Sequence, residues 1–425
     1  MESLHPVSCI LYPVSAFATC RWSVYTTLKM RKNGRDARPA MTNPATRAQA
    51  RATKTRKTPT PGRAADVFAC VSRQPVRGVV VLYSAPDKPA ETVSGDVLAD
   101  LETTAVAKAV GQILRARTEL QVHLLPASQR VAEKMGSYPP DQYVVFNLFE
   151  GLDNLVGEDG TPLPDQEAPT AFALEAMGYR LTGADGRTLA LALNKAETKQ
   201  VLHRGGVLTP AWRVFCHADE VSASALGDLR FPLIVKPLAE DSSLAIDHKA
   251  VVTDLDSLWE RVRYVVESYH QPVLAEEFID GREINAAVWG DPPKLLPLAE
   301  IGLSALGEPT QRIVTFTAKW EEGSFEYVHT PAICPAVLAP ELEARTRHTA
   351  LRAWELVAHN HGYGRVDMRV RGEQVYVLEV NPNPSIAEDA GFARSARAAG
   401  LDYAQMILKM LSFIMEVPFA DHSAR

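Results

Sequence analysis

VYVLEVNPNPSIAEDAG, residues 375–391, decides how the chain is read. It opens as a strand, with valine, tyrosine and leucine alternating over the first positions. Two acceptor-bearing residues follow, Glu379 and Asn381, and then Pro382 and Pro384. Prolines remove backbone donors and force a chain off a sheet. Just upstream, GRVDMRV (364–370) has the same alternating character, and RGEQ (371–374) between the two runs is a turn. Together they predict a hairpin.

Side chains alternate across a strand with period two. On the first strand Val366, Met368 and Val370 share one face, and Arg365, Asp367 and Arg369 the other. On the second, Tyr376, Leu378 and Val380 make an apolar face, while Glu379 and Asn381 point away. A slip of one residue turns every side chain over. Joining apolar face to apolar face therefore needs an odd number of loop residues, such as Gly372-Glu373-Gln374, and sets Asp367 directly opposite Glu379. Two facing acids repel unless a cation lies between them. Carboxylate and amide oxygens are hard ligands that suit Mg²⁺. The same residues also suit an ordinary solvated face in which the acids pair with Arg365 and Arg369, so the pattern leaves both readings open. SIAEDAG (385–391) is placed to wrap over whatever such a face holds.

Upstream, GVVVLY (78–83) is a strand entering a loop. Residues 96–117 carry helical spacing through Val97, Leu101, Val106, Val110, Ile113 and Leu114. Strands follow at 122–125 and 142–148, and the alternation predicts a parallel α/β sheet. In such sheets functional groups sit on loops beyond the strand C-termini, here FEGLDN (149–154) and GEDGTP (157–162). Further on, 189–204 reads as one helix stopped by Gly205-Gly206. Strands are expected at 213–216, 232–236 and 272–279, paired strands at 283–289 and 295–301, and helices at 256–269, 338–359 and 402–413.

Composition bounds these readings. The chain has 425 residues, 46% hydrophobic and 23% charged, enough for two or three globular domains. No window holds the ~18 uncharged apolar residues of a membrane span. The five cysteines are scattered without CxxC or Cys/His pairing, which argues against a disulfide scaffold or zinc site and fits a reducing compartment. Residues 1–77 carry 14 Lys and Arg against 3 Asp and Glu, a net +11, whereas the remainder carries 31 against 48, a net −17. The basic excess thus belongs to a tail with little apolar periodicity. The tail reads as an anionic-surface arm, a targeting peptide or a disordered extension, with Met30 and Met41 as alternative starts. The histidines show no metal spacing and are expected to be structural.

The segment Leu378–Pro384, in its hairpin, resembles the metal site of ATP-grasp ligases, and of the D-alanine–D-alanine ligase group in particular. Five further segments resemble that group in matching order: VVFNLFEG…GEDG (144–160), LALNKAETKQVL (191–202), FPLIVKPLAEDSSLAI (231–246), VLAEEFIDGREINAAV (273–288) and FTAKWEEGSFEYVHTPAICPAVL (316–338). The resemblance spans roughly residues 79–411. It implies a three-domain ATP-grasp fold, α/β with α+β parts: a parallel-sheet domain over 78–193, a central lobe over 194–281 and a lobe with the metal site over 282–418, after the tail 1–77.

By that resemblance Lys195 and Lys236 contact the nucleotide, and Ser242 and Ser243 cradle phosphate, Ser242 also serving catalysis. Glu276, Glu277, Phe278 and Ile279 line adenine, with Glu276 at its amino edge, and Glu283 reads the ribose hydroxyls. Lys319 reaches the γ-phosphate as its loop closes. Asp367, Glu379 and Asn381 hold two Mg²⁺ ions, Mn²⁺ being an acceptable substitute. Arg365 stabilises an oxyanion. The implied reaction joins a small-molecule carboxylate, activated by ATP, to an amine. The implied protein is cytoplasmic, a homodimer, and requires neither nucleic acid nor membrane; a nucleotide-binding regulatory protein on the same scaffold is the alternative. The chain also departs from the group. The first strand leads to YSAPDKPAETVSGD (83–96), which offers no match for the glutamate that grips the first D-alanine's ammonium. The histidine of the N-domain substrate loop is Glu150, Pro-Gly becomes Pro384-Ser385, and the His-Ser pair becomes Asp389-Ala390. Glu150, Ser385, Glu388 and Asp389 are accordingly expected substrate contacts, for a substrate pair other than two D-alanines.

Overall fold

The computed structural model describes residues 76–85, 95–127, 131–151, 166–240, 243 and 245–415. The basic tail, most of the two acidic-glycine loops and Ser242 lie outside them.

The first region runs β1 (Gly78–Tyr83), α1 (Gly95–Arg117), β2 (Gln121–Pro126), α2 (Val131–Met135), β3 (Tyr143–Leu148), α3 (Glu167–Ala176), α4 (Gly186–Leu193) and α5 (Lys195–Arg204). β1 lies between β2 and β3, both parallel to it. Its unbroken apolar run has a direct cause. Val79 and Val81 pack with Val106, Val110 and Leu114 of α1, whereas Val80 and Leu82 face Val131 and Met135 of α2 and Leu174 of α3. A strand covered on both faces has no polar alternation to show.

The second region runs β4 (Trp212–Phe215), α6 (Ala223–Leu226), β5 (Leu233–Pro237), β6 (Val251–Val252), α7 (Leu255–Tyr269) and β7 (Val273–Glu277). Its strands form an antiparallel sheet in the order β4-β7-β5-β6. Leu258, Val262 and Val265 of α7 cover Leu233, Val235 and Val273. Asp254 starts that helix with a capping box closed by Ser257.

The third region runs β8 (Arg282–Trp289), β9 (Lys294–Leu295), β10 (Ala299–Ile301), α8 (Phe316–Trp320), α9 (Phe325–His329), β11 (Ala332–Ile333), α10 (Pro340–Ala358), β12 (Tyr363–Arg371), β13 (Gln374–Pro382), α11 (Gly391–Ala398) and α12 (Tyr403–Ser412). The sheet order is β11-β10-β8-β12-β13, with β9 paired to β8. Ala353, Trp354 and Val357 of α10 seal one face against Val366, Met368 and Val377. Phe392 of α11 and Met406 and Met410 of α12 return to the core around β1.

Two expectations are corrected. The helix expected over 189–204 is two helices, because Asn194 adopts an extended ψ of 95° and caps α5, its side chain accepting from Glu197 N at 3.2 Å. Lys195 is therefore the first residue of a new helix. The hairpin has the expected pairing of Asp367 with Glu379 but reaches it differently. Arg371 pairs with Gln374, so the turn has two residues, with Gly372 at φ 60°. The odd residue is Leu378, a bulge between the pairs Met368–Val377 and Asp367–Glu379. The bulge reverses which residues face the core before it. Val375 and Val377 are buried with Val380, and the expected Tyr376 and Leu378 are not.

No described helix is long and apolar enough to cross a membrane. Among the described residues Cys334 is a free thiol.

Candidate active site

Three adjacent strands build the polar face. Asp367 on β12 stands in register with Asn285 on β8 and Glu379 on β13. Asp367 is 6% exposed and fully engaged. Arg365 grips it bidentately, Nε to Oδ1 at 2.7 Å and Nη2 to Oδ2 at 2.8 Å. Asn285 Nδ2 donates to Oδ1 at 2.7 Å. The Asn381 amide bridges the two acids, donating to Asp367 Oδ2 at 2.8 Å and to Glu379 Oε1 at 3.1 Å. Burial alone would push the Glu379 carboxyl up. The charges of Lys236, Lys195 and Lys319, with the Asn381 amide, reverse this and hold it at about 2. Burial likewise opposes charge on Arg365, and Asp367 more than offsets it. The Glu379 carboxylate is thus held ionised by three lysines, and Asp367 sits in the fork of Arg365. Among the described residues no three His, Cys, Asp or Glu side chains gather at one point. The donor set here is two carboxylates beside side-chain amides, whose hard oxygens fit Mg²⁺.

The three lysines come from three separate elements, Lys195 from the start of α5, Lys236 from β5 and Lys319 from α8. Lys195 Nζ donates to the carbonyl of Glu240. Lys236 meets Glu276 Oε1 at 2.6 Å, and Lys199 meets Oε2 at 2.5 Å. Lys199 also donates to Thr209 Oγ1 at 2.7 Å. Glu276 and Lys199 are each 1% exposed. Burial favours neutral Glu276, but the two lysines outweigh it and keep the carboxylate; burial pulls Lys199 downward. The resemblance implied Glu276 at the adenine edge. In the structure both its oxygens meet lysines, so it is also a buried partner of Lys236. Lys199 was not singled out from sequence, although it lies four residues after Lys195 on the same helix, where i and i+4 share a face.

Phe278 and Ile279 are buried and Glu277 is half-buried where β7 hands the chain to β8. Glu283 Oε2 accepts from Arg369. Ser243 sits at φ 63° and donates to Val314 O at 3.2 Å. Phe316 N donates to Ile246 O at 3.0 Å, and His248 pairs with Glu326 at 3.0 Å. These contacts staple the loop around Ser243 to the segment that carries Lys319.

A second polar cluster lies on the other side of the two prolines. Asn383, at φ 47°, turns the chain between them, and its Oδ1 accepts from Ala184 N at 2.8 Å. Beyond it a small cavity is lined by Glu102, Thr103, Asn147, Glu150, Tyr363 and Ser385. Ser385 Oγ donates to Glu102 Oε1 at 3.3 Å, and Thr103 Oγ1 to Glu150 Oε2 at 3.1 Å. The structure therefore brings the expected Glu150 and Ser385 together. Glu388 and Asp389 are exposed and do not line the cavity, though Asp389 adds to the burial that raises the Glu102 carboxyl.

The sequence profile for "D-ala D-ala ligase C-terminus" matches residues 202–412. The D-alanine–D-alanine ligase of Desulforudis audaxviator is 30% identical over 274 residues, covering 63% of this chain and 81% of that protein. D-alanine–D-alanine ligase B of Chromobacterium violaceum is 31% identical over 271 residues, 64% and 80% of the two chains. This chain belongs to the D-alanine–D-alanine ligase family. An uncharacterized protein of Sinorhizobium fredii is 30% identical over 276 residues, 63% and 75% of the two chains. The crystal structure of D-alanine–D-alanine ligase from Bacillus anthracis complexed with ATP is similar in fold, with TM-score 0.56 at 22% identity over 80% of this chain and 97% of that one. The ATP-grasp fold follows.

For a member of the D-alanine–D-alanine ligase family, the cavity next to the prolines is acidic. The residue that sequence reasoning missed there is Glu102, because the loop before α1 departs from the group's pattern. Its helix is long and amphipathic, and Glu102 reads as one of its surface charges until the fold brings Ser385 to it.

Proposed function

We propose that this chain is an ATP- and Mg²⁺-dependent ligase joining a carboxylate to an amine, with substrates other than two D-alanines. The convergence of Lys195, Lys236 and Lys319 on Glu379, beside Asp367, carries the reading: three cations from three elements around an acid pair suit a bound triphosphate. Lys195 and Lys236 act as point charges along the phosphates, with Ser242 and Ser243 in the neighbouring loop. Lys319 completes the cluster from a segment that excludes water on closing. Asp367, Glu379 and Asn381 would hold two Mg²⁺ ions, which supply positive charge against the phosphate oxygens. In the first step a substrate carboxylate oxygen takes the γ-phosphoryl group, giving an acyl phosphate and ADP. In the second an amine nitrogen bonds to the acyl carbon, loses a proton, and phosphate departs. Arg365, held by Asp367, faces that step with a fixed positive charge for the oxyanion.

Two carboxylates in the small cavity, Glu102 and Glu150, favour a substrate that presents an ammonium there. Glu388 and Asp389 add negative charge outside it, where a second substrate carboxylate would be repelled. The domain division at 78–193, 194–281 and 282–418, a homodimer and a cytoplasmic setting accompany this proposal. The test is Mg²⁺-dependent ADP release by the full chain against panels of amino acids and polyamines, singly and in pairs, with Asp367→Ala as control. Turnover with D-alanine alone would defeat the substrate reading. ATP binding without turnover on any acid–amine pair would defeat the ligase reading.

A further inference from the structure

Arg369 lies on β12 two residues past Asp367 and is 4% exposed. A guanidinium has five N–H donors and no acceptor. All five are used here. Nε and Nη2 donate to Glu283 Oε2 at 3.1 and 2.7 Å. Nη2 also donates to Arg312 O at 2.7 Å. Nη1 donates to Gly281 O at 3.3 Å and Ile279 O at 3.5 Å. The guanidinium carbon stands 5.8 Å from the centre of the Phe278 ring.

On the ATP reading, Phe278, Ile279 and Glu283 among these partners are ones a nucleotide would meet. Phe278, Ile279 and Gly281 form the connection from β7 to β8. Arg312 precedes α8 and so lies at the root of the segment with Lys319. Both bonds to Glu283 end on Oε2, and Oε1 takes no hydrogen bond from the described residues. One buried cation thus fixes the connection, the carboxylate and the root of the lysine segment, while one carboxylate oxygen stays available.

We propose that Arg369 is the positioning residue for ribose recognition: it locks the Glu283 carboxylate and the carbonyls of Ile279 and Gly281, leaving Glu283 Oε1 to accept from a ribose hydroxyl. This rests on the ATP reading above. Lysine keeps the charge but cannot reproduce the planar fork, so Arg369→Lys removes the lock with little change in local electrostatics.

The experiment measures dissociation constants of the full chain with Mg²⁺ for ATP, 2′-deoxy-ATP, 3′-deoxy-ATP and inorganic triphosphate. Wild type is expected to bind ATP roughly tenfold or more tightly than one of the deoxy analogues, the size of a hydrogen bond to a charged group. In Arg369→Lys that preference falls to about twofold or less while triphosphate affinity holds. Glu283→Gln loses the preference likewise, and the double variant loses no more than either alone. An Arg369→Lys protein that keeps the wild-type preference overturns the role of Arg369. Equal loss of triphosphate and all nucleotides marks a purely structural residue and overturns it too. Wild type without any preference overturns it together with the ribose assignment, and wild type that binds neither ATP nor triphosphate takes down the ATP reading itself.

Discussion

Asp367 and Glu379 face each other across β12 and β13, joined by the single amide of Asn381. Arg365 forks onto Asp367, and the surrounding lysines hold the Glu379 carboxyl low. The pair is therefore a fixed concentration of negative charge in an otherwise basic site. Asp367→Ala removes half of it and frees Arg365 from its partner. Turnover, followed as ADP release, should fall by about two to three orders of magnitude, the usual cost of losing an electrostatic anchor of a transition state. Retention of more than a tenth of wild-type turnover, in roughly the same assay, would remove Asp367 from the reaction.

Stability should carry the signature of Glu379. Its carboxyl is held at about 2 against an ordinary 4.5. A depressed acid stabilises the fold above its unfolded value and stops doing so as pH falls through its folded one. The window is therefore pH 4.5 down to 2, and the contribution lost across it is about 3 kcal/mol at most. Urea denaturation of wild type and Glu379→Gln should diverge above pH 4.5 and converge near pH 2. Parallel curves over that range would contradict this account.

Glu276 is the counter-charge of two buried lysines. Glu276→Ala leaves both uncompensated and should cost about 3–5 kcal/mol. Lys199→Met removes one cation from a pair of two and should cost clearly less. Denaturant midpoints with unchanged slopes measure both. An inverted order would mean that Glu276 is held mainly by something other than these lysines.

Glu102 and Glu150 share a cavity away from the lysines. Replacing either by glutamine should raise KM for the amine substrate roughly tenfold, as expected when a charge-assisted hydrogen bond is lost, and leave KM for ATP unchanged. An effect confined to ATP would place these acids in the nucleotide site.

Much of this was readable in the chain, and the exceptions have physical causes. The pairing of Asp367 with Glu379 follows from two apolar faces that must meet, and β1 follows from a run with no polar break. The two-residue turn did not follow, because a bulge at Leu378 and a third loop residue satisfy the same parity. The helix break at Asn194 was hidden because an N-cap asparagine inside a helical pattern looks like one more exposed position. Lys199 and Glu102 are ordinary helix charges by sequence, and only tertiary packing shows that one is buried against Glu276 and the other meets Ser385. Arg369 was assigned its face correctly, but its partners lie between 57 and 90 residues away.

The extra residue at Leu378 also works as a proofreading device. In a straight ladder with the same turn, Leu378 would stand opposite Asp367 and Glu379 would meet Val366 in the apolar core. A misaligned hairpin would then bury an unpaired carboxylate, an error of several kcal/mol that folding does not tolerate. The chain can complete this sheet only by delivering its acid to the ligand side.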